Sequence, residues 1–233
     1  MQLSLFLKEI KTRHWAQGAR RQALRVTFKT LTKEDNHMAE LWAIILAGGE
    51  SKRMKAPKML LPFKGKTIIE KVIENVTASD VQKTMVVLGA GSEAIIKVIN
   101  DLPVTQKYNE NYKNGMFSSV ICGLKSLPDD LEAVLIFQGD QPMIQPHTVN
   151  AIIAAYKESG KGIVIPVFSK KRGHPLLIDG KYRSEIEKLN PDEGLRSLAS
   201  RFHNDVLEVN VESPEILRDI DTQEDYLNEI NQN

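Results

Sequence analysis

A glycine pair followed by basic side chains is the part of this sequence best suited to bind phosphate groups. Gly48 and Gly49 follow a short apolar run, residues 42–46, that is typical of a strand buried on both faces. Glycine lets backbone N–H groups approach an anion closely. Side-chain donors and positive charges follow at Ser51, Lys52, Arg53, Lys55 and Lys58. This order predicts a site for the phosphates of a nucleotide, although it matches neither of the common phosphate-loop fingerprints.

A carboxylate at the end of a second apolar run is the other candidate. Residues 133–137 are apolar, and Gln138, Gly139 and Asp140 follow them. Open α/β sheets bind ligands at the carboxyl ends of their strands. Mg²⁺ usually takes one or two carboxylates together with phosphate oxygens and water. An aspartate in such a turn is by itself more often a cap, but beside the basic glycine loop we interpret Asp140 as a Mg²⁺ ligand.

Alternating strand and helix patterns indicate how these residues are positioned. We expect one α/β domain with a mostly parallel sheet and helices on both faces, a Rossmann-like arrangement. Strands are predicted near residues 42–46, 84–88, 133–137, 162–167, 175–178 and 206–211. Helices are predicted near residues 68–76, 92–99, 116–127, 146–156, 183–189 and 194–202. Ser92 is the expected N-cap of the second helix, and Pro146 suits the first turn of the fourth.

Composition excludes several classes of protein. The 233 residues suffice for one large domain, and no apolar run approaches the roughly 20 residues that span a bilayer. Cys122 is the only cysteine, which excludes an intramolecular disulfide, a Cys₄ zinc site and a redox pair. We therefore expect a cytoplasmic protein.

The first 38 residues differ from the rest of the chain. They carry eight Lys and Arg against three acidic residues, whereas the remainder carries 23 against 27. Residues 39–233 are therefore mildly acidic, and a local basic site must attract an anionic substrate. The basic arm is compatible with a targeting peptide, a nucleic-acid-binding tail or a docked helix. We interpret it as an appendage without a catalytic role, and Met38 as an alternative start.

Five motifs resemble those of the nucleotidyltransferases that act on molybdenum cofactor. The first is LAGG-x-S-x-RM at residues 46–54, with Lys58 and LLP after it. The others are YKNGMFSS (112–119), RGHP (172–175), PDEGLR (191–196) and DIDTQED (219–225). The five motifs stand in the family's order and are distributed over nearly all of residues 41–226.

The resemblance implies transfer of a nucleotidyl group from a triphosphate to the phosphate of molybdenum cofactor, with Mg²⁺ as cofactor. The nucleotide would be bound by Leu46, Ala47, Gly48, Gly49, Ser51, Arg53 and Lys58. The catalytic residues would be Arg53, Lys58 and Asp140, and the metal ligands Asp140 and Asp221. The pterin-bearing substrate would be bound by Gly115, Met116, Ser118, Ser119, Arg172 and His174. The product would be a dinucleotide cofactor for an apo molybdenum hydroxylase, and neither nucleic acid nor a membrane is an expected partner.

Two positions depart from the family pattern. Lys55 stands where a glycine is usual, and Gly48 stands where members that use cytidine have alanine. The GM pair at 115–116 and the RGHP motif favour cytidine, so we expect CTP as the donor. The alternatives are a guanylyltransferase for the same cofactor, another nucleotidyltransferase for a small phosphate monoester, a non-catalytic cofactor carrier, or nucleic-acid binding through the arm.

Overall fold

The computed structural model describes residues 40–54 and 56–231. The predicted arm, residues 1–38, and the departure at Lys55 lie outside the described residues, so the arm stays a prediction.

A large mixed sheet forms the centre of the described part. Its strands and a separate small hairpin are, in chain order, β1 (Leu41–Ala47), β2 (Pro62–Phe63), β3 (Lys66–Thr67), β4 (Lys83–Leu88), β5 (Thr105–Tyr108), β6 (Ala133–Gln138), β7 (Ile163–Phe168), β8 (Lys171–Arg172), β9 (Leu176–Asp179) and β10 (Val206–Asn210). The sheet order is β10-β7-β9-β6-β1-β4-β5, with β8 paired to β7, and β2 pairs with β3 in a separate two-stranded sheet. β1 is parallel to both β4 and β6, whereas β9 runs antiparallel between β6 and β7. The predicted mostly parallel sheet is confirmed.

Helices cover both faces of this sheet, as predicted. They are α1 (Ile68–Thr77), α2 (Ser92–Ile99), α3 (Met116–Lys125), α4 (Pro146–Ser159), α5 (Arg183–Ile186), α6 (Leu195–Arg201) and α7 (Gln223–Ile230). The odd-numbered side chains of β1 pack in a core with α1, α2 and α4, and its even-numbered side chains pack with α3, α5 and α6. This alternation follows from the two-residue period of a strand. No helix in residues 40–54 and 56–231 is long and apolar enough to cross a bilayer.

The helix starts follow local chemistry. α1 begins with a capping box, in which Thr67 and Glu70 satisfy each other's backbone N–H groups. α4 has Pro146 in its first turn, as predicted. The expected cap at Ser92 is wrong, because Ser92 is the first residue of α2 and Gly91, at φ 67°, occupies the capping position without a side-chain bond.

A third apolar cluster joins the C-terminal segment to the loop after β1. Met54, Phe63 and Ile220 are buried together, and Tyr226 and Ile230 of α7 pack against them. The motif at residues 219–225 is thereby brought to the basic loop, although about 165 residues separate them in the chain.

Candidate active site

The ends of β1 and β6 place the two candidate motifs side by side. The strands are parallel neighbours with Leu46 opposite Gln138, so the glycine loop and Asp140 leave the sheet at the same edge. The N–H of Gly139 donates to the Leu46 carbonyl at 3.0 Å. A Cβ on Gly139 would lie 2.8 Å from that oxygen, which is closer than real Cβ atoms approach. Glycine before Asp140 therefore allows the two strand ends to pack closely.

Lys58 lies at the centre of an ion-pair network. Its Nζ is 2.5 Å from Oδ2 of Asp140 and 2.9 Å from Oδ1 of Asp221. Arg53 donates to the other oxygen of Asp221. The Ile220 N–H donates to the Asp140 carbonyl at 3.0 Å, which fixes the C-terminal segment beside the strand end. The structure thus brings together all three predicted catalytic residues and the predicted second metal ligand.

The network sets the charge states of its members. Burial disfavours the charged form of Lys58, but the charges and hydrogen bonds of Asp140 and Asp221 outweigh it and raise the pKa of Lys58. Burial likewise opposes ionisation of Asp221, but Lys58 and Arg53 hold its pKa below the ordinary value. Lys58 is therefore a cation and Asp221 an anion at neutral pH.

Carboxylate oxygens of Asp140, Asp219 and Asp221 form a group that fits a hard divalent cation. One oxygen from each lies within 4.8 Å of the other two. Oδ1 of Asp140 is buried and has no hydrogen-bond partner among the described residues, which leaves one acceptor free for a ligand. Burial and the negative charges of Asp221 and Asp140 raise the pKa of Asp219, and a bound cation would relieve that repulsion. The donor set is all oxygen, as Mg²⁺ and Mn²⁺ prefer.

A pocket of about 340 Å³ opens on one side of the glycine loop. Residues of the loop and of the β4–α2 connection line it, including Gly49, Ser51, Ala90 and Gly91. Ser51 has a positive φ of 51°, and its hydroxyl accepts from the Lys58 N–H at 3.4 Å. Of the predicted nucleotide-binding residues, Gly49 and Ser51 line this pocket, and the hydrogen bond from the Lys58 N–H to Ser51 connects its wall to the ion-pair network.

The predicted acceptor-side residues lie in three places. Gly115, Met116, Ser118 and Ser119 lie at the start of α3, where Gly115 has φ 89° and Ser119 is buried. His174 contacts Gln138, and its Nδ1 lies 3.3 Å from the side-chain Nε2 of Gln138. The pKa of His174 is lowered, because burial disfavours its charged form more than the negative charge of Asp140 favours it. The positive charge of Arg196 lowers the pKa further.

Arg172 is directed elsewhere. Its Nε donates to Glu208 of β10 at 2.7 Å, and both side chains are exposed at the far edge of the sheet. The structure does not bring Arg172 to the carboxylate group, and its predicted role in substrate binding stays a prediction.

Two residues of the site are missing from the sequence-based prediction. Asp219 belongs to the motif at 219–225, and buried Ile220 lies between it and Asp221, so the two carboxylates share the opposite side of an extended segment. That alternation was readable as a signal. Asn109, which binds Ser118 and Ser119, has no signal in its neighbouring residues.

Comparison with known proteins shows the family of this chain. The probable molybdenum cofactor guanylyltransferase of Natranaerobius thermophilus is 35% identical over 127 residues, which are 54% of this chain and 60% of that protein's length. The molybdenum cofactor cytidylyltransferase of Escherichia coli is 26% identical over 191 residues, 82% of this chain and 95% of that protein. The crystal structure of Rv0371c from Mycobacterium tuberculosis superposes with a TM-score of 0.74 at 22% identity, covering 82% of this chain and 97% of the other. Residues 43–206 match the MobA-like NTP transferase domain, and the chain belongs to that family.

Proposed function

We propose that this protein transfers a cytidylyl group from CTP to the phosphate of molybdenum cofactor and releases pyrophosphate. The observation that carries the proposal is the position of Lys58, which pairs with both Asp140 and Asp221 beside the glycine loop. Arg53 also pairs with Asp221. Two cations and a group of carboxylates next to a pocket form a suitable site for a metal-bound triphosphate.

Nucleotidyl transfer needs positioning and charge neutralisation more than covalent chemistry from the protein. An oxygen of the acceptor phosphate attacks the α-phosphorus, and the bond from that phosphorus to the leaving pyrophosphate breaks. In our assignment, backbone groups of residues 47–49 place the base and ribose. Lys58 and Arg53 bind the phosphates and stabilise the negative charge that develops on the pyrophosphate.

Asp140, with Asp221 or Asp219, would hold a Mg²⁺ ion. When bound, the ion neutralises phosphate charge and orients the phosphate oxygens. Residues with a role in binding the acceptor would be His174, Ser118, Gly115 and Met116, whereas Ser119 is buried and lies beside Gly48. The product would be a dinucleotide cofactor supplied to an apo molybdenum hydroxylase.

The base is the least constrained part of the proposal. The relative matched over 95% of its own length is named a cytidylyltransferase, and the motifs at 115–116 and 172–175 favour cytidine. Gly48 and the guanylyltransferase match at 35% identity favour guanosine instead. Guanylyl transfer to the same cofactor is therefore the alternative.

The test measures pyrophosphate released from each of the four nucleoside triphosphates with Mg²⁺ and molybdenum cofactor. We expect the highest kcat/KM with CTP. Asp140→Ala should reduce release to background while the fold is retained, because it removes the buried ligand oxygens of the metal group.

Asp205→Ala is the matched control. Asp205 also pairs with a lysine, since Lys181 Nζ is 2.8 Å away, but it lies at the amino end of β10, opposite the site. This variant should keep the wild-type rate below its melting temperature. Faster turnover of GTP than of CTP would identify guanosine triphosphate as the donor. A wild-type rate for Asp140→Ala at saturating Mg²⁺ would reject the proposed site.

A further inference from the structure

Gly48 lies between the chain that follows β4 and the side chain of Ser119. On one side its carbonyl accepts from the Ala90 N–H at 3.2 Å, and a Cβ on Gly89 would lie 2.7 Å from that carbonyl oxygen. On the other side a Cβ on Gly48 would lie 3.2 Å from Oγ of Ser119. The chain that follows β4 is therefore hydrogen-bonded to Gly48, and the Ser119 hydroxyl closes the space that a side chain at position 48 would need.

Asn109 holds the Ser119 side. Its side chain is 3% exposed, and its amide Nδ2 donates to Ser118 Oγ at 2.9 Å and to Ser119 Oγ at 3.0 Å. Its Oδ1 accepts from the Asn111 N–H at 3.0 Å. Each hydrogen-bonding atom of this amide is thus used within one loop and the first turn of α3.

Asn109 also holds the β4 side. Its backbone N–H donates to the Leu88 carbonyl at 2.9 Å, directly before Gly89. One buried residue thereby connects the β4 end to Ser119, and Gly48 lies between these two. A buried amide whose partners are all satisfied fixes its neighbours in one arrangement.

We infer that Asn109 is a positioning residue for nucleoside triphosphate binding, acting through Ser119 on the Gly48–Gly49 loop. The inference rests on the proposed function. Asn109 contacts neither the carboxylate group nor Lys58 through any of these bonds, so its effect is on binding of the nucleotide and not on the transfer step. Ser119 is 4% exposed, and its Oγ lies beside Gly48, where a Cβ would be 3.2 Å from it.

The experiment compares Asn109→Ala, Ser119→Ala and the double variant in the full chain. Dissociation constants for CTP and GTP are measured without acceptor, and KM and kcat with it. We expect each single variant to raise the Kd and KM of the nucleotide about tenfold, equivalent to roughly 1.4 kcal/mol. The kcat at saturating nucleotide should stay within about twofold, which is the behaviour expected when only binding is lost.

The double variant tests whether Asn109 acts through Ser119. If it does, the double variant should bind no more weakly than Asn109→Ala alone, and multiplied effects would overturn the inference. Ser119→Ala retains Asn109 and its bond to Asn111, so it keeps the test decisive should Asn109→Ala not fold.

Tyr182→Phe is the control for general loss of stability. Its hydroxyl donates to Asp205 at 2.6 Å, away from the site, so the variant should lose stability without a change in Kd. An Asn109→Ala protein that behaves like Tyr182→Phe would overturn the inference. Failure of the wild type to bind any triphosphate would instead reject the proposed function.

Discussion

Lys58 has a more specific environment than Lys52, another lysine that follows the glycine pair. Its side chain is 9% exposed and lies between two carboxylates, whereas the side chain of Lys52 is 79% exposed and pairs with nearby Glu50. A buried cation is costly unless it is paired, and removal of one partner leaves the other charge uncompensated. The two lysines therefore lie in very different electrostatic environments, although both follow the glycine pair.

Lys58→Ala should lower kcat by about 10²-fold or more, because it removes a preorganised cation from the phosphates. Lys52→Ala should change kcat by less than about twofold, since an exposed ion pair contributes little. Pyrophosphate release at saturating nucleotide and Mg²⁺ measures both. Equal losses in the two variants would indicate a diffuse positive patch in place of a specific contact.

Residue types in the glycine loop and at the β6 end predicted Lys58, Arg53 and Asp140 because each follows a recognisable strand. Asp221 was predicted through the motif at its own position. Asn109 was not, because it follows a short polar strand, and its partners Ser118 and Ser119 are brought to it only by the packing of α3.

The elements of the fold differ in how strongly the sequence specifies them. β1, β4 and β6 are continuous apolar runs because both of their faces are covered, and each was predicted within about two residues. β5 is an edge strand with three of its four residues exposed, so it lacks that signal. The antiparallel direction of β9 could not be predicted either, since direction depends on the long connections and not on the strand itself.

Asp205 connects the start of β10 to the turn after β9. Burial opposes its ionisation, but hydrogen bonds from Lys181, Tyr182 and the Gly162 backbone outweigh burial and lower its pKa to about 2. The folded pKa lies below the unfolded value near 3.9, so this carboxylate stabilises the fold above about pH 4. That contribution is lost as the pH falls from about 4 through about 2.

Asp205→Asn should therefore lower the melting temperature by about 2 to 4 °C at pH 7, equivalent to roughly 1 kcal/mol for a partly exposed ion pair. The deficit should be the same at pH 5 and shrink below pH 4. Thermal unfolding of both proteins between pH 7 and pH 3 measures it. A deficit that grows on acidification would show that the charge of Asp205 is not what stabilises this turn.

At the scale of the whole molecule, the site is assembled from parts distant in sequence. The loop after β1, the end of β6 and the segment before α7 meet through the Lys58 network and the third apolar cluster. The C-terminal segment is therefore needed for the site as well as for the fold. The family match at residues 43–206 ends before it, so Asp219 and Asp221 lie outside the matched region.

The described residues, 40–54 and 56–231, form a compact unit, and the predicted catalytic, nucleotide, metal and substrate residues all lie within it. Removal of residues 1–37, giving a chain that starts at Met38, should therefore leave kcat/KM for cytidylyl transfer within about twofold of the full-length value. The melting temperature should change by less than about 2 °C, since 1 kcal/mol shifts a domain of this size by about 2 to 4 °C. Both quantities are compared with those of the full chain at the same salt concentration.

A large loss of activity with an unchanged melting temperature would mean that the basic arm contacts a substrate. A lower melting temperature would mean that the arm packs on the catalytic unit, and either result would contradict its interpretation as an appendage.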